Sequence, residues 1–544
     1  MSKKGNSMDR VREIFFYKLN TKETLYFGFF ILLSVTKGLG LYEEQKLFIL
    51  LAVPALICGF LKVILSSYTK RQWITVLILL LITAIVYYQS LEPGILFIML
   101  MILGMKDISS EKVFRVGLWV WTLCSVFLCV ISFFRIEHTV YRVSDKLGLG
   151  YIMRWSLGFT HPNTFHITYL ALCAYIIHEL ADRYEFKHFI LLMIGNVLVF
   201  FYSVSFTGFG IVTVFLVGEL YVAFRPRFNL LEKILVNMVL PIIIFASFVL
   251  PLLLHVPGYS EVLQKLNALV NTRINVASNY LVPECMSLFG VRMSYLSQIQ
   301  SYLSIDSSYI WAFIHYGIVP FALFMLAYFI LIADYTGKQK TRELVMIICF
   351  LAAGITEPLL FNTSFKNVTL LFLGELLFRQ KDGEREYYLI PVLTQKTDEL
   401  YSAMFTKVRK WIQLVENLPS LFGAVWTSHR RRVMAGIAVG ALLGVILCGI
   451  CYTQPKGYIV PRRNTDWREK ISVYLTSAED PVYEGYRIMN YRDAETPMQI
   501  VEGNAVVLET VRYYVGSILI GGLAGYLTGV VTIMLIYNRG SHEE

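Results

Sequence analysis

Three stretches decide how this chain is read: LNALVNTRIN (266–275), SLFGVRM (287–293) and SIDSSYIWAFIHYGIVPF (304–321). They belong to a polar segment, 255–307, and to the helix expected after it; the segment carries Arg273, Arg292 and Asp306. Apolar runs at 234–254 and 308–334 close it on both sides. Each run exceeds the roughly 18 residues that mark a transmembrane helix. The segment therefore begins and ends at a membrane surface, and its cations stand where a helix meets water.

The rest of the chain supports a membrane setting. Of its 544 residues, 56% are hydrophobic and 16% are charged, with a mean hydropathy of +0.57. A soluble chain carries about 25% charged residues. Apolar runs fall at 24–41, 47–66, 73–90, 92–105, 116–134, 158–178, 188–204, 207–224, 234–254, 308–334, 343–361 and 367–378. Backbone groups inside a bilayer must be satisfied within the segment, so such spans are helices. The expectation is an all-α polytopic membrane protein with a core of about twelve helices at 24–378. The basic, polar N-terminus and the lack of a small-residue exit site argue against a cleavable signal peptide.

Loop charge gives the orientation. SSYTKR (66–71), KDISSEKVFR (106–115), HELADRYEFKH (178–188), FRPRFNLLEK (224–233) and DYTGKQKTR (334–342) each hold at least two Lys or Arg. The alternate connections YEEQK, QSLEP, SVSFTG and NTSFKN are neutral or weakly basic. This alternation places the basic N-terminus, residues 1–23, and the first set of loops on the cytoplasmic side. It also accounts for the net charge of +10 without nucleic acid as a partner. Two outer loops depart from the pattern: 135–157, with Arg135, His138, Arg142, Lys146 and Arg154, and 255–307. Long loops translocate whatever their charge. The alternative is that both loops fold over one cavity and present cations to an anionic ligand.

A cytoplasmic linker, 379–432, follows the core. Its run 398–418 sets Tyr401, Met404, Phe405, Val408, Trp411, Ile412 and Val415 on one helical stripe, suited to an interfacial helix. Two more apolar runs, 433–452 and 513–537, flank a small outer domain at 453–511, with strand-like runs KISVYL and NAVVLETV and a short tail, 538–544, beyond. Gly521, Gly525 and Gly529 form overlapping GxxxG steps, which favour close helix contact. Cys448 and Cys451 form a CxxC inside an apolar run, a setting for packing rather than for zinc.

No nucleotide-binding, metalloprotease or serine-hydrolase motif is present. The charged residues placed for chemistry are outer-face arginines. Arginine stays protonated, and its planar fork fits phosphate oxygens. A basic pocket at a bilayer rim therefore points to a lipid phosphate or pyrophosphate. In RWSLGFTHPNTFH (154–166), Arg154 stands at the surface, where snorkelling and ligand binding are both open readings. Pro162 fits a first helical turn, with His161 and Asn163 at its mouth. His161 and His166 are open to interhelical hydrogen bonding or to catalysis. Asp306 is open to helix capping or to service as a base. Glu357 and Glu375 lie in or beside apolar runs, and Glu357 is expected to face the bundle and the site.

LGFTHPNTFH (157–166), NALVNTRIN (267–275) with SLFG, IDSSYIWAFIHYGIVPF (305–321) and GITEPLLFNTSFKN (354–367) resemble the Wzy-type polysaccharide repeat-unit polymerases, relatives of the O-antigen ligases. The resemblance covers 24–378. It implies a GT-C-like, metal-independent glycosyltransferase with no cofactor in the bacterial inner membrane, both termini cytoplasmic. Its donor would be undecaprenyl pyrophosphate carrying a growing glycan, and its acceptor a lipid-linked repeat unit. Flippase and chain-length regulator proteins would be its partners, beside membrane lipids. Outer-loop arginines would hold the pyrophosphate, a role carried to Arg273 and Arg154, with Arg142 and Arg292 as further candidates. Asn163, His161 and Glu357 complete the expected binding set. The ligases use a histidine in the large loop. Here only His255 stands there, so Asp306, Arg273 and His255 form the expected catalytic set. The C-terminal pair of spans is faintly similar to chain-length regulators. Alternative readings are a ligase, a flippase of lipid-linked oligosaccharides, and a scaffold protein of a secretion complex.

Overall fold

A computed structural model describes residues 20–135, 141–145, 147–269, 272–292, 305–379, 385–461, 473–491 and 493–540. Side chains at 141–142, 145, 269, 392–393, 401–428 and 534–540 lie outside that description. Residues 1–19 of the basic N-terminus and the side chains of the amphipathic stripe of 401–415 therefore lie outside it, although the backbone of the latter is helical. The chain divides into two compact units. The larger takes Lys22–Leu128 and Gly158–Pro391. The smaller takes Cys129–Leu157 and Val392–Glu544 with the N-terminal residues.

The larger unit is helical. Its elements are α1 (Thr21–Gly38), α2 (Lys46–Leu65), α3 (Lys70–Ser90), α4 (Gly94–Leu103), α5 (Ser110–Phe134, crossing the unit boundary), α6 (Pro162–Leu180), α7 (Phe186–Ser203), α8 (Phe206–Phe224) and α9 (Leu230–Leu253). The short α10 (Ser260–Leu269) and α11 (Arg273–Tyr280) follow. Then come α12 (Ser308–His315), α13 (Ile318–Lys338), α14 (Thr341–Ala353) and α15 (Leu370–Leu377). Starts are set locally. Thr69 with Gln72 and Asn229 with Glu232 make capping boxes, and the Ser205 hydroxyl accepts from the Gly208 N–H.

Among the described residues ten helices are long and apolar enough to cross a membrane, eight before residue 340 and two after 425. The protein is thus a largely helical chain with the makings of a multi-pass membrane protein. Several expected spans have a finer form. The run 308–334 breaks at Gly317 into α12 and α13. Gly317 has φ +86°, and a Cβ there would stand 2.4 Å from the Gly290 nitrogen. The runs 92–105, 343–361 and 367–378 give α4, α14 and α15 of 10, 13 and 8 residues. At 1.5 Å per residue none reaches the roughly 30 Å of a hydrocarbon core. Helix α4 is buried along its whole length and packs on α2, α3 and α15, as an interior strut.

The connections gather in two groups. In one, β1 (Ser67–Tyr68) pairs with β4 (Tyr387–Tyr388), and Glu386 accepts from Ser67 and Lys106 at 2.6 Å each. There too Arg115 meets Glu179 at 3.1 Å, and the Phe228 N–H donates to Gln339 at 2.9 Å. These are the strongly basic loops. In the other group, Thr363 bonds Glu43, Asn163 bonds Glu357 at 2.9 Å, and Ser308 Oγ donates to the Glu357 carbonyl at 2.6 Å. These are the weakly charged loops, and Arg273 of the polar segment joins them through Glu357.

The smaller unit holds a hairpin of β2 (Tyr141–Asp145) and β3 (Tyr151–Trp155), and a sheet of β5 (Gly457–Pro461), β6 (Tyr486–Ile488) and β7 (Met498–Val501). Strand β5 is central, parallel to β6 and antiparallel to β7. Ile459, Leu475 and Met498 form its core. Of the expected strand KISVYL, Val473 bridges Met498. NAVVLETV is instead helical, the first turns of α17 (Asn504–Gly540). Its buried positions Ala505, Val506, Glu509, Arg512 and Tyr513 recur at a helical spacing, which outweighs its β-branched composition. Helix α16 (Pro391–Cys451) is kinked at His429. Its glycines meet those of α17. A Cβ on Gly440 would stand 2.2 Å from the Gly521 carbonyl oxygen, and one on Gly436 2.8 Å from that of Gly525.

Candidate functional site

Three distant segments of the larger unit converge on Arg273. Thr272, at φ +63°, turns the chain so that Arg273 opens α11. Its Nη2 lies 3.1 Å from Glu357 Oε1, its Nε 3.4 Å from Asp306 Oδ2 and its Nη1 3.3 Å from Thr207 Oγ1. Thr207 follows the Ser205 cap of α8, and Glu357 follows α14 in the turn GITEP. Side-chain exposure grades outward: 11% for Glu357, 14% for Arg273 and 41% for Asp306. The guanidinium is thus gripped on its inner side and loosely closed on its outer side.

Glu357 is fixed from behind. Asn163 Nδ2 donates to its Oε1 at 2.9 Å, across 194 residues. Asn163 is itself set by His161, the N-cap residue of α6, whose Nδ1 accepts the Asn163 N–H at 3.0 Å. Ser308 Oγ donates to the Glu357 carbonyl and accepts the Leu360 N–H at 3.1 Å, which ties IDSSY to GITEPLL. Ser307, not Asp306, is the N-cap residue of α12, and it makes no side-chain cap bond. Asp306 turns toward Arg273 instead.

Glu357 also lines a cavity of about 200 Å³. Lys37, Glu43, Thr160, Thr164 and Lys366 share its wall. Lys37 pairs with Glu43 at 2.8 Å. Lys366 is 4% exposed, and among the described residues its side chain makes no hydrogen bond or ion pair. Burial pushes its ammonium down to about 7. Nearby Lys37 adds to the effect, and Glu357 opposes it.

The other expected residues take no part in the bonds just described. His255 is exposed just past α9, with Nε2 3.3 Å from Ser278 Oγ. Arg292 is exposed at the edge of the described loop. Arg142 and Arg154 are cross-strand partners in the β2–β3 hairpin and belong to the smaller unit. Arg154 is buried, and the Arg142 side chain lies outside the described residues. His166 is fully buried, 2.7 Å from Asn196 and 3.2 Å from Ser203, the interhelical bonding that was one of its two readings. Glu375 accepts from Ser110 at 2.7 Å among the strongly basic loops, away from Glu357.

Sequence reasoning missed Thr207, Lys37 and Lys366. A signal for Lys366 was present: it is the lone cation of NTSFKN, between two apolar runs. Nothing local marks Thr207. The arrangement offers a guanidinium that can exchange an exposed carboxylate for another anion, beside a hydroxyl-lined hollow that shares Glu357. No family model, curated protein or solved structure matches this chain.

Proposed function

We propose that the chain is a membrane glycosyltransferase that extends a polysaccharide. It would move a growing glycan from undecaprenyl pyrophosphate to a lipid-linked repeat unit at the outer face of a bacterial cytoplasmic membrane, within a GT-C-like helical core. One observation carries this reading. Asn163, Arg273, Asp306 and Glu357 come from the four separate motifs that resemble the polymerases, and their side chains meet in one cluster. The cluster lies among the weakly charged loops, which the charge alternation puts outside.

The chemistry follows from the geometry. A diphosphate leaving group gains negative charge as its glycosidic bond breaks. A fixed guanidinium aimed at that charge lowers the barrier, and removing one such donor costs about 10²–10³ in rate. Asp306, half in solvent and 3.4 Å from Arg273, is the group that yields when the diphosphate arrives. Glu357 and Thr207 hold the guanidinium in place meanwhile.

Lipid-linked oligosaccharide profiling tests the proposal. Cells lacking the chain should accumulate single lipid-linked repeat units, and Arg273→Ala or Arg273→Lys should leave them accumulated. Long lipid-linked chains would instead indicate a ligase, which uses the same donor. An unchanged profile in both the deletion and the Arg273→Ala strain would remove the enzymatic reading.

A further inference from the structure

We propose that the cavity lined by Lys37, Glu43, Thr160, Thr164, Glu357 and Lys366 seats the acceptor sugar, with the Lys366 amine taking the proton from the attacking hydroxyl. This rests on the glycosyl-transfer reading and deepens it. The lining carries two lysines and two glutamates among threonine hydroxyls, with the Phe159 ring beside them. Such a wall has no excess of positive charge and is rich in donors and acceptors, which suits a neutral polyhydroxylated ring better than an anion.

Lys366 is the exception in that wall. Lys37 has Glu43, and Glu357 has Arg273 and Asn163. The Lys366 side chain is 96% out of solvent and has no ion-pair partner among the described residues. A buried ammonium without a counter-ion is costly, so the neutral amine is favoured, and a neutral amine accepts a proton. A group poised near 7 is also suited to base catalysis at neutral pH.

Glu357 connects the two halves of the reaction. Its Oε1 bonds Nη2 of the Arg273 guanidinium, whose Nε side, now on Asp306, would take the leaving group, while its side chain borders the hollow. In the step, the acceptor O–H bond breaks and its proton moves to Lys366 Nζ. The oxygen forms the new bond to the anomeric carbon. The bond from that carbon to the diphosphate oxygen breaks, its electron pair leaving with the diphosphate. The ammonium then returns its proton to solvent.

The test uses the full chain in proteoliposomes, with lipid-linked repeat units extracted from the source cells, between pH 6 and 8.5. Wild-type elongation should rise with pH around a midpoint near 7, because the base works deprotonated. Lys366→Met should lower turnover by about 10²–10⁴-fold while acceptor half-saturation stays within about twofold. Lys366→Arg should not rescue it. Thr160→Trp, at an exposed position on the wall, should raise half-saturation and leave the pH midpoint in place. A rate that falls as pH rises through 7 would make Lys366 an anion anchor and overturn the assignment. So would Lys366→Met turning over at the wild-type rate, or Thr160→Trp leaving half-saturation unchanged. A wild-type chain that elongates nothing overturns the glycosyl-transfer reading itself.

Discussion

Two arginines, one in each unit, the first buried and the second half-buried, stand in opposite circumstances. Arg512 and its partner Glu509 are both fully buried and lie one turn apart on α17. Arg512 Nη1 is 2.5 Å from Glu509 Oε1 and 2.6 Å from the Met153 carbonyl, and Glu509 Oε2 accepts from Trp155 Nε1 at 2.7 Å. Arg273 is held by groups from three distant segments at 3.1–3.4 Å, and one of its carboxylates is 41% exposed. A sealed pair gains nothing from exchanging partners and loses much if broken. A half-open pair can trade one carboxylate for a ligand oxygen. The first arrangement pins the β2–β3 hairpin to α17, and the second is suited to bind.

Mutation can break that contrast. The largest effect is expected for Arg512→Ala, which strands the Glu509 carboxylate. It should cost about 3–5 kcal/mol, read as a lowered midpoint of thermal unfolding in detergent, and Arg512→Met combined with Glu509→Gln should recover much of it. A smaller effect is expected for Gly440→Val in the same unit. Its side chain would meet the Gly521 carbonyl, and overpacking of this kind costs about 1–3 kcal/mol. Elongation per folded molecule should stay unchanged. The smallest is Asp306→Asn, within about 1 kcal/mol of wild type in the same unfolding assay, as expected for a half-exposed pair. A loss for Asp306→Asn as large as that for Arg512→Ala would erase the distinction between the two sites.

What the sequence disclosed and what it hid follow the range of the forces involved. Runs such as 47–66 and 207–224 announce α2 and α8 because span length and apolarity are local properties. The Pro162 helix start was equally plain. The break at Gly317 was not, because it depends on the 287–290 backbone lying against it, where the Ile318 N–H donates to the Ser287 carbonyl at 2.9 Å. For the candidate site, motif reading drew Arg273, Asp306, Asn163 and Glu357 together. Arg154 was drawn in by the same resemblance, and Arg142 only as a cation of the basic outer loop 135–157; both stand on the β2–β3 hairpin of the smaller unit. Loop charge tells the side of a membrane, not the unit that a loop joins. Lys366 was overlooked for a related reason: its character comes from a wall built by residues over 300 positions away, Lys37 and Glu43.

The glycine seam between α16 and α17 has a mechanical consequence. Gly436, Gly440 and Gly444 oppose Gly525, Gly521 and Ser517 in antiparallel order, with would-be Cβ atoms within 2.8 Å of carbonyl oxygens. Sliding by one residue, or turning either rod, would drive neighbours such as Ile437 or Leu443 into backbone. Only one alignment is sterically open. The two rods therefore shift and tilt together, so a load on the sheet of β5–β7 is carried along the pair as by a stiff lever.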